Sequence, residues 1–104
     1  MQRFDTRTLA GPADWSGPSF TGFDRAAVKL RWITAPYRWH VNEGAELFLV
    51  LDGQVDMHIR AGGAAEPHVE RLGPGELIVL EPGDAHVAVP DGPARILVVE
   101  SEDA

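Results

Sequence analysis

Four histidines and no cysteine bound the chemistry open to this chain. Without thiols there is no disulfide framework, thiolate zinc site or cysteine nucleophile. Imidazole and carboxylate must therefore carry any metal or acid–base work. The histidines differ in context. His58 falls on the polar side of the alternating run Val55-Asp56-Met57-His58-Ile59-Arg60 and reads as solvent-facing. His68 opens a short strand after a Gly/Ala/Pro loop and reads as a surface residue. His40 and His86 stand beside turns, next to strongly apolar strands. His40 and Asn42 share one face of an extended chain. Glu46 begins the following strand on the face that carries Phe48 and Val50. A carboxylate there is costly to bury without a partner, and a metal ion or an arginine would serve.

The elements that must bring these residues together read as strands and turns. Ala27 to Thr34 alternates Val28, Leu30 and Trp32 with Lys29 and Arg31, which favours a strand over a short helix from residue 24 to 32. Glu46 to Leu51 is a strand expected to end at Asp52-Gly53, a dipeptide typical of hairpins. Val55 to Arg60, His68 to Leu72, Leu77 to Leu80, His86 to Val89 and Ile96 to Val99 follow. Gly- and Pro-rich turns at 73–75, 81–84 and 90–93 separate the later ones, and an acidic end closes the chain. No stretch keeps a helical period over ten residues. Many short strands at this spacing predict an all-β sandwich or barrel.

At 104 residues the chain allows one domain. With 44% hydrophobic and 24% charged residues, it is an ordinary globular composition rather than a disordered one. Residues 1–26 read as an irregular arm, rich in Gly, Pro, Ser and Thr, that packs its aromatic rings on a body formed by residues 27–104. The net charge of -7 comes wholly from residues 53–104, because residues 1–52 hold six bases and six acids. With no basic patch, neither a nucleic acid nor an anionic membrane is an expected partner. The longest apolar run, Leu47 to Leu51, is five residues, against the roughly 20 that a spanning helix needs. The start MQRFDTRTLAGP has no apolar stretch, so a cytoplasmic protein is expected.

The spacing His40-x-Asn42-x3-Glu46-x6-Gly53, followed by Gly75-x5-Glu81-Pro82-Gly83-x2-His86, closely resembles the two motifs of the cupin superfamily. Those motifs read G-x5-H-x-H-x3,4-E-x6-G and G-x5-P-x-G-x2-H-x3-N. The phrases WHVNEGAELFLVLDG and LGPGELIVLEPGDAH look like those of small single-domain cupins. The resemblance covers roughly residues 38–100. It implies a jelly-roll β-barrel holding one divalent transition metal (Fe, Zn, Mn or Ni) on His40, Asn42, Glu46 and His86. Five positions depart: Thr34 for glycine, Asn42 for histidine, Glu81 for proline and Pro90 for asparagine in the two motifs, and Ala45 where the small single-domain cupins often have aspartate. An amide oxygen is a poorer donor than imidazole for late first-row ions. Setting Asn42 aside leaves two histidines and one carboxylate, the composition of the iron(II) facial triad. That set permits an oxygenase, a Lewis-acid isomerase, or a non-catalytic binder with a degenerate or empty site.

By period two, Trp32, Phe48, Val50 and Met57 are expected to line an apolar pocket for a small organic molecule. Tyr37 and Trp39 would flank its mouth, and Arg31 and Arg38 could hold a carboxylate at the rim, although by alternation Arg31 points away from Trp32. LFLVL (47–51), LIVL (77–80) and ILVV (96–99) are apolar on both faces. Antiparallel sheets usually wet one face, so these strands predict a homodimer in which a second copy covers their outer side.

Overall fold

The computed structural model describes residues 1–63 and 66–101. The middle of the 61–67 loop and the last three residues of the acidic end lie outside the described residues. Seven antiparallel strands form the fold: β1 (Ser19–Phe20), β2 (Ala26–Ile33), β3 (His40–Val41), β4 (Glu46–Arg60), β5 (His68–Leu72), β6 (Leu77–Leu80) and β7 (Ala85–Ser101). Among the described residues the only helical pieces are two three-residue 3-10 turns. No helix there is long and apolar enough to cross a membrane.

The architecture is a jelly roll built on two long strands, β4 and β7. The first half of β4 pairs with β6 and with the second half of β7, whose other neighbour is β2, edged by β1. The second half of β4 pairs with β5 and with the first half of β7, which carries β3 on its free edge. Two curved layers result, sharing the same two strands, and the sheet does not close completely. Their inner faces meet in one core, where Phe48, Val50, Ile96 and Val98 from one layer pack with Val55, Met57, Ile59 and Ala88 from the other.

This arrangement corrects two sequence expectations. Asp52-Gly53 does not end a strand, and Pro90-Asp91-Gly92-Pro93 does not either. Both lie inside continuous strands as an irregularity in register, with Asp52 opposite Arg95 and Gln54 opposite Asp91. The residues favouring positive φ are used here to bend two paired strands from one layer into the other. Gly53 sits at φ +87°, and a Cβ added there would meet Pro93 O at 2.6 Å and Ala94 Cα at 2.9 Å. Both obstacles are backbone and cannot swing aside. Gly53→Ala is therefore expected to destabilise the fold by about 1–3 kcal/mol. A thermal melt unchanged by this substitution would contradict the corner's role.

The third difference concerns β2. Ile33 pairs with Ala94 and joins the core. Alternation then turns Arg31 and Lys29 inward, opposite Ile96 and Val98, and turns Val28, Leu30 and Trp32 outward. The N-terminal arm makes this possible by covering the outer face. Leu9 O accepts from Arg95 Nε at 2.6 Å, and Trp32 N donates to Ser16 O at 2.8 Å. Leu30 is thereby buried yet stands apart from the core. The arm's rings behave unequally: Trp15 packs against the core, whereas Phe4 and Phe23 are both exposed, Phe4 meeting Phe20 edge-on at 5.2 Å.

Candidate metal centre

His40 and His86 are cross-strand partners on β3 and β7, so their side chains emerge from one layer on one face. Their ring centroids lie 4.0 Å apart. Glu46 comes from the opposite layer, at the start of β4. Its Oε2 is 3.4 Å from His86 Nε2, and its Oε1 is 3.7 Å from His40 Nε2. One donor atom from each of the three residues falls within a sphere of mutual distances up to 4.8 Å. The barrel thus gathers the His/Glu/His set that the motif spacing suggested, with Glu46 and His86 buried and His40 half-exposed at the mouth.

The local backbone fixes these positions. His40 Nδ1 lies 3.1 Å from Arg38 O. With the proton on Nδ1 it donates there, which leaves the Nε2 lone pair facing Glu46, as in metal-binding histidines. Asn42 is fastened at both ends of its peptide: its N–H donates to Asp84 O at 3.0 Å, and its carbonyl accepts from Gly83 N at 2.8 Å. Asp84 in turn accepts from Gly62 N and Glu81 N, each at 2.9 Å. Those two backbone N–H bonds hold its carboxyl below the usual aspartate range, against a small opposing effect of burial. The turn before His86 is therefore tied both to β3 and to the end of β4.

Glu46 feels opposing influences. Burial pushes its carboxyl up, but the hydrogen bond and charge of His86, a hydrogen bond with Glu100 and the charge of His40 together hold it below the ordinary glutamate value. A direct hydrogen-bonded couple of His40 and Glu46, the metal-free alternative, is not formed at 3.7 Å. Nor does arginine supply the partner. Among the described residues three buried side-chain atoms have no hydrogen-bond partner: Ser16 Oγ in the arm, and His86 Nδ1 and Asn42 Nδ2 at this site. The convergence of two imidazoles and one carboxylate on one point is what fits a cation centre.

A cavity of about 530 Å³ opens over this cluster. Of the expected wall residues, Phe48 lines it. Val50 and Met57 are fully buried in the core beneath, and Trp32 stands on the far side of β2. Tyr37 lines the mouth, while Trp39 faces a separate shallow depression beside Arg60. Sequence reasoning missed Trp15, Lys29 and Glu100 in the wall. Trp15 reaches it from the arm, with Nε1 donating to Ala35 O at 3.1 Å and its ring 5.3 Å from that of Tyr37. Its aromatic character in a polar arm was the available signal. Lys29 and Glu100 are 71 positions apart in sequence, and only the β2–β7 register joins them, at 2.5 Å.

The fold and this centre define a small β-barrel protein of the metal-capable jelly-roll class. The family model for the cupin domain matches residues 31–100, and the chain belongs to the cupin family. No curated protein matches the sequence. Among solved structures, a cupin-2 domain protein from Shewanella frigidimarina aligns at 19% identity over 92% of this chain and 96% of that one, with a TM-score of 0.73. A protein from Neisseria meningitidis aligns at 13% identity over 96% and 99%, with a TM-score of 0.76. A hydroquinone 1,2-dioxygenase solved in complex with Fe3+ aligns at 11% identity and a TM-score of 0.76, over 88% of this chain but 29% of that one. At these identities the likeness is one of fold.

Proposed function

We propose that this cupin is a mononuclear metal enzyme of the oxygenase class, acting on a small organic molecule. The observation that carries this reading is the gathering of His40, Glu46 and His86 around one point at the floor of an open cavity. Two imidazoles and one carboxylate suit iron(II), with zinc, manganese or nickel as competitors for the same donors. An ion held there supplies Lewis acidity and open coordination positions. The chain's own residues do the rest. Arg38 O orients the His40 ring, the 81–84 turn sets His86, and Trp15, Phe48 and Val98 give the cavity its apolar lining. Asn42, at the place of the family's second histidine, stands beside the triad as its weakest donor.

The reading is tested by metal analysis of untagged protein, followed by oxygen uptake of the iron(II)-loaded form with a panel of small organic acids and phenols. Metal binding with no uptake on any of them would favour a binding protein. That rival draws on the neutral amide at position 42. A stoichiometric absence of metal after loading would end the enzyme proposal.

The same reading includes a homodimer. Leu77 and Val79 on β6 are about half exposed, and they lie in register with Leu49 and Leu47 on β4. A second copy laid on this patch would remove them from water. Burying one such side chain fully is worth about 1.5–3 kcal/mol. Val79→Glu, at a site exposed in the monomer, is expected to convert a dimer to a folded monomer in sedimentation experiments. A wild type that sediments as a monomer at micromolar concentration would refute the pairing.

A further inference from the structure

The inversion of β2 puts Lys29 and Arg31 at the cavity, where Arg38 joins them from the loop before β3, and the three are not equally committed. Arg31 is consumed by the arm. Its Nη1 donates to Gly17 O at 3.0 Å and Pro18 O at 2.9 Å, and its Nη2 to Ser19 Oγ at 2.9 Å. It is a strut. Arg38 lies over the Tyr37 ring at 4.8 Å on the exposed rim. Lys29 is different. An ammonium carries three donors, and among the described residues its hydrogen-bond partner is one oxygen, Glu100 Oε1. The lysine side chain is 37% exposed, so the remaining donors face the cavity and its solvent rather than the protein.

Glu100 is shared. It is the cross-strand partner of Glu46. Lys29 thus holds a carboxylate of the protein at the edge of the metal cluster. A second donor lines the same cavity: Asn42 Nδ2, on a side chain 5% exposed, has no acceptor. Its backbone is pinned on both sides, which fixes where the side chain leaves the chain. Phe48 and Val98 supply the apolar wall nearby.

We propose that the cavity takes a small carboxylate whose anionic group binds the Lys29 ammonium in place of Glu100, while Asn42 Nδ2 donates to another oxygen of the ligand. The inference rests on the cavity's being a small-molecule site, as proposed above, but not on the identity of the metal. Glu100 is then an internal competitor that keeps Lys29 paired until a ligand arrives. Lys29 is a point charge rather than a planar fork, so it selects for charge and leaves shape to the apolar wall.

The test uses acetate, butyrate, benzoate and phenylacetate, each beside its primary amide, titrated calorimetrically into metal-free and zinc-loaded protein. At least one acid is expected to bind more tightly than its amide. Lys29→Met should weaken that acid roughly tenfold to hundredfold, the range of a charged hydrogen bond, and leave the amide unchanged. Glu100→Gln removes the competing charge and should tighten the acid several-fold, which keeps the idea testable if Lys29→Met does not fold. Wild type that favours none of the acids, or acids bound equally by wild type and Lys29→Met, would overturn the proposal, as would a Glu100→Gln protein that binds them no better. Protein that holds no zinc yet loses acid binding with Lys29→Met would sink the metal reading and spare this one. Zinc-loaded protein indifferent to Lys29→Met would do the reverse.

Discussion

Replacing His86 with alanine is expected to remove metal binding almost completely. His86 is 2% exposed, and its Nε2 lies 3.4 Å from Glu46 Oε2. Its ring is held by β7 opposite His40, so no neighbouring donor can move into its place. Altering residues that merely support a ligand usually costs 10–100-fold in affinity. Loss of a ligand from a set of three should cost more than about 100-fold by the same measure. His40→Ala should act similarly. Asn42→Ala should act less, because the amide is a weak donor, and Asn42→His should tighten nickel or zinc, which prefer imidazole. The check is metal stoichiometry of each untagged variant beside its thermal melt, so that unfolding is not mistaken for lost ligation. Full metal content in both His40→Ala and His86→Ala would remove the centre from this cluster.

How far the site was legible depends on what carries each part. His40, Glu46 and His86 were legible because motif spacing encodes their positions relative to turns, and the turns survive folding. Gly53 was legible as a residue needing unusual backbone, but not as a corner. Whether a glycine ends a strand or bends it depends on the partner strand, here β7, some 40 positions away. The orientation of β2 was not legible at all. Alternation in Val28-Lys29-Leu30-Arg31-Trp32 distinguishes two faces without saying which faces the core. The arm reverses the usual assignment by giving the apolar face a cover of its own, so the polar face is free to line a cavity. Lys29 and Glu100 then meet through a register that no local pattern records.

Acid should act on this protein in two separate steps. The first is loss of metal. Ligation requires neutral imidazoles and an ionised carboxylate, so protons compete with the ion for the whole set. Dissociation is expected to steepen below roughly pH 6, where imidazoles in general become charged. The second step belongs to the metal-free fold. Burial raises the Glu46 carboxyl, but His86, Glu100 and His40 outweigh it and leave the folded value below the unfolded one. A carboxyl shifted down contributes stability that is fully present above its unfolded value, about 4.3. That contribution is lost as the pH falls from there through the folded value. Asp84, shifted down by its two backbone N–H bonds, has the same sign, and its contribution is lost below its own unfolded value of about 3.9. Metal-free wild type should therefore lose melting temperature below about pH 4.3, and Glu46→Gln should lose less over the same interval while matching its own higher-pH behaviour. Comparing the two proteins cancels Asp84 and isolates Glu46. A Glu46→Gln profile parallel to wild type from pH 6 down to pH 3 would show that the folded protein gains nothing from ionising this carboxylate, and a wild type still fully loaded after dialysis near pH 4 would contradict histidine ligation.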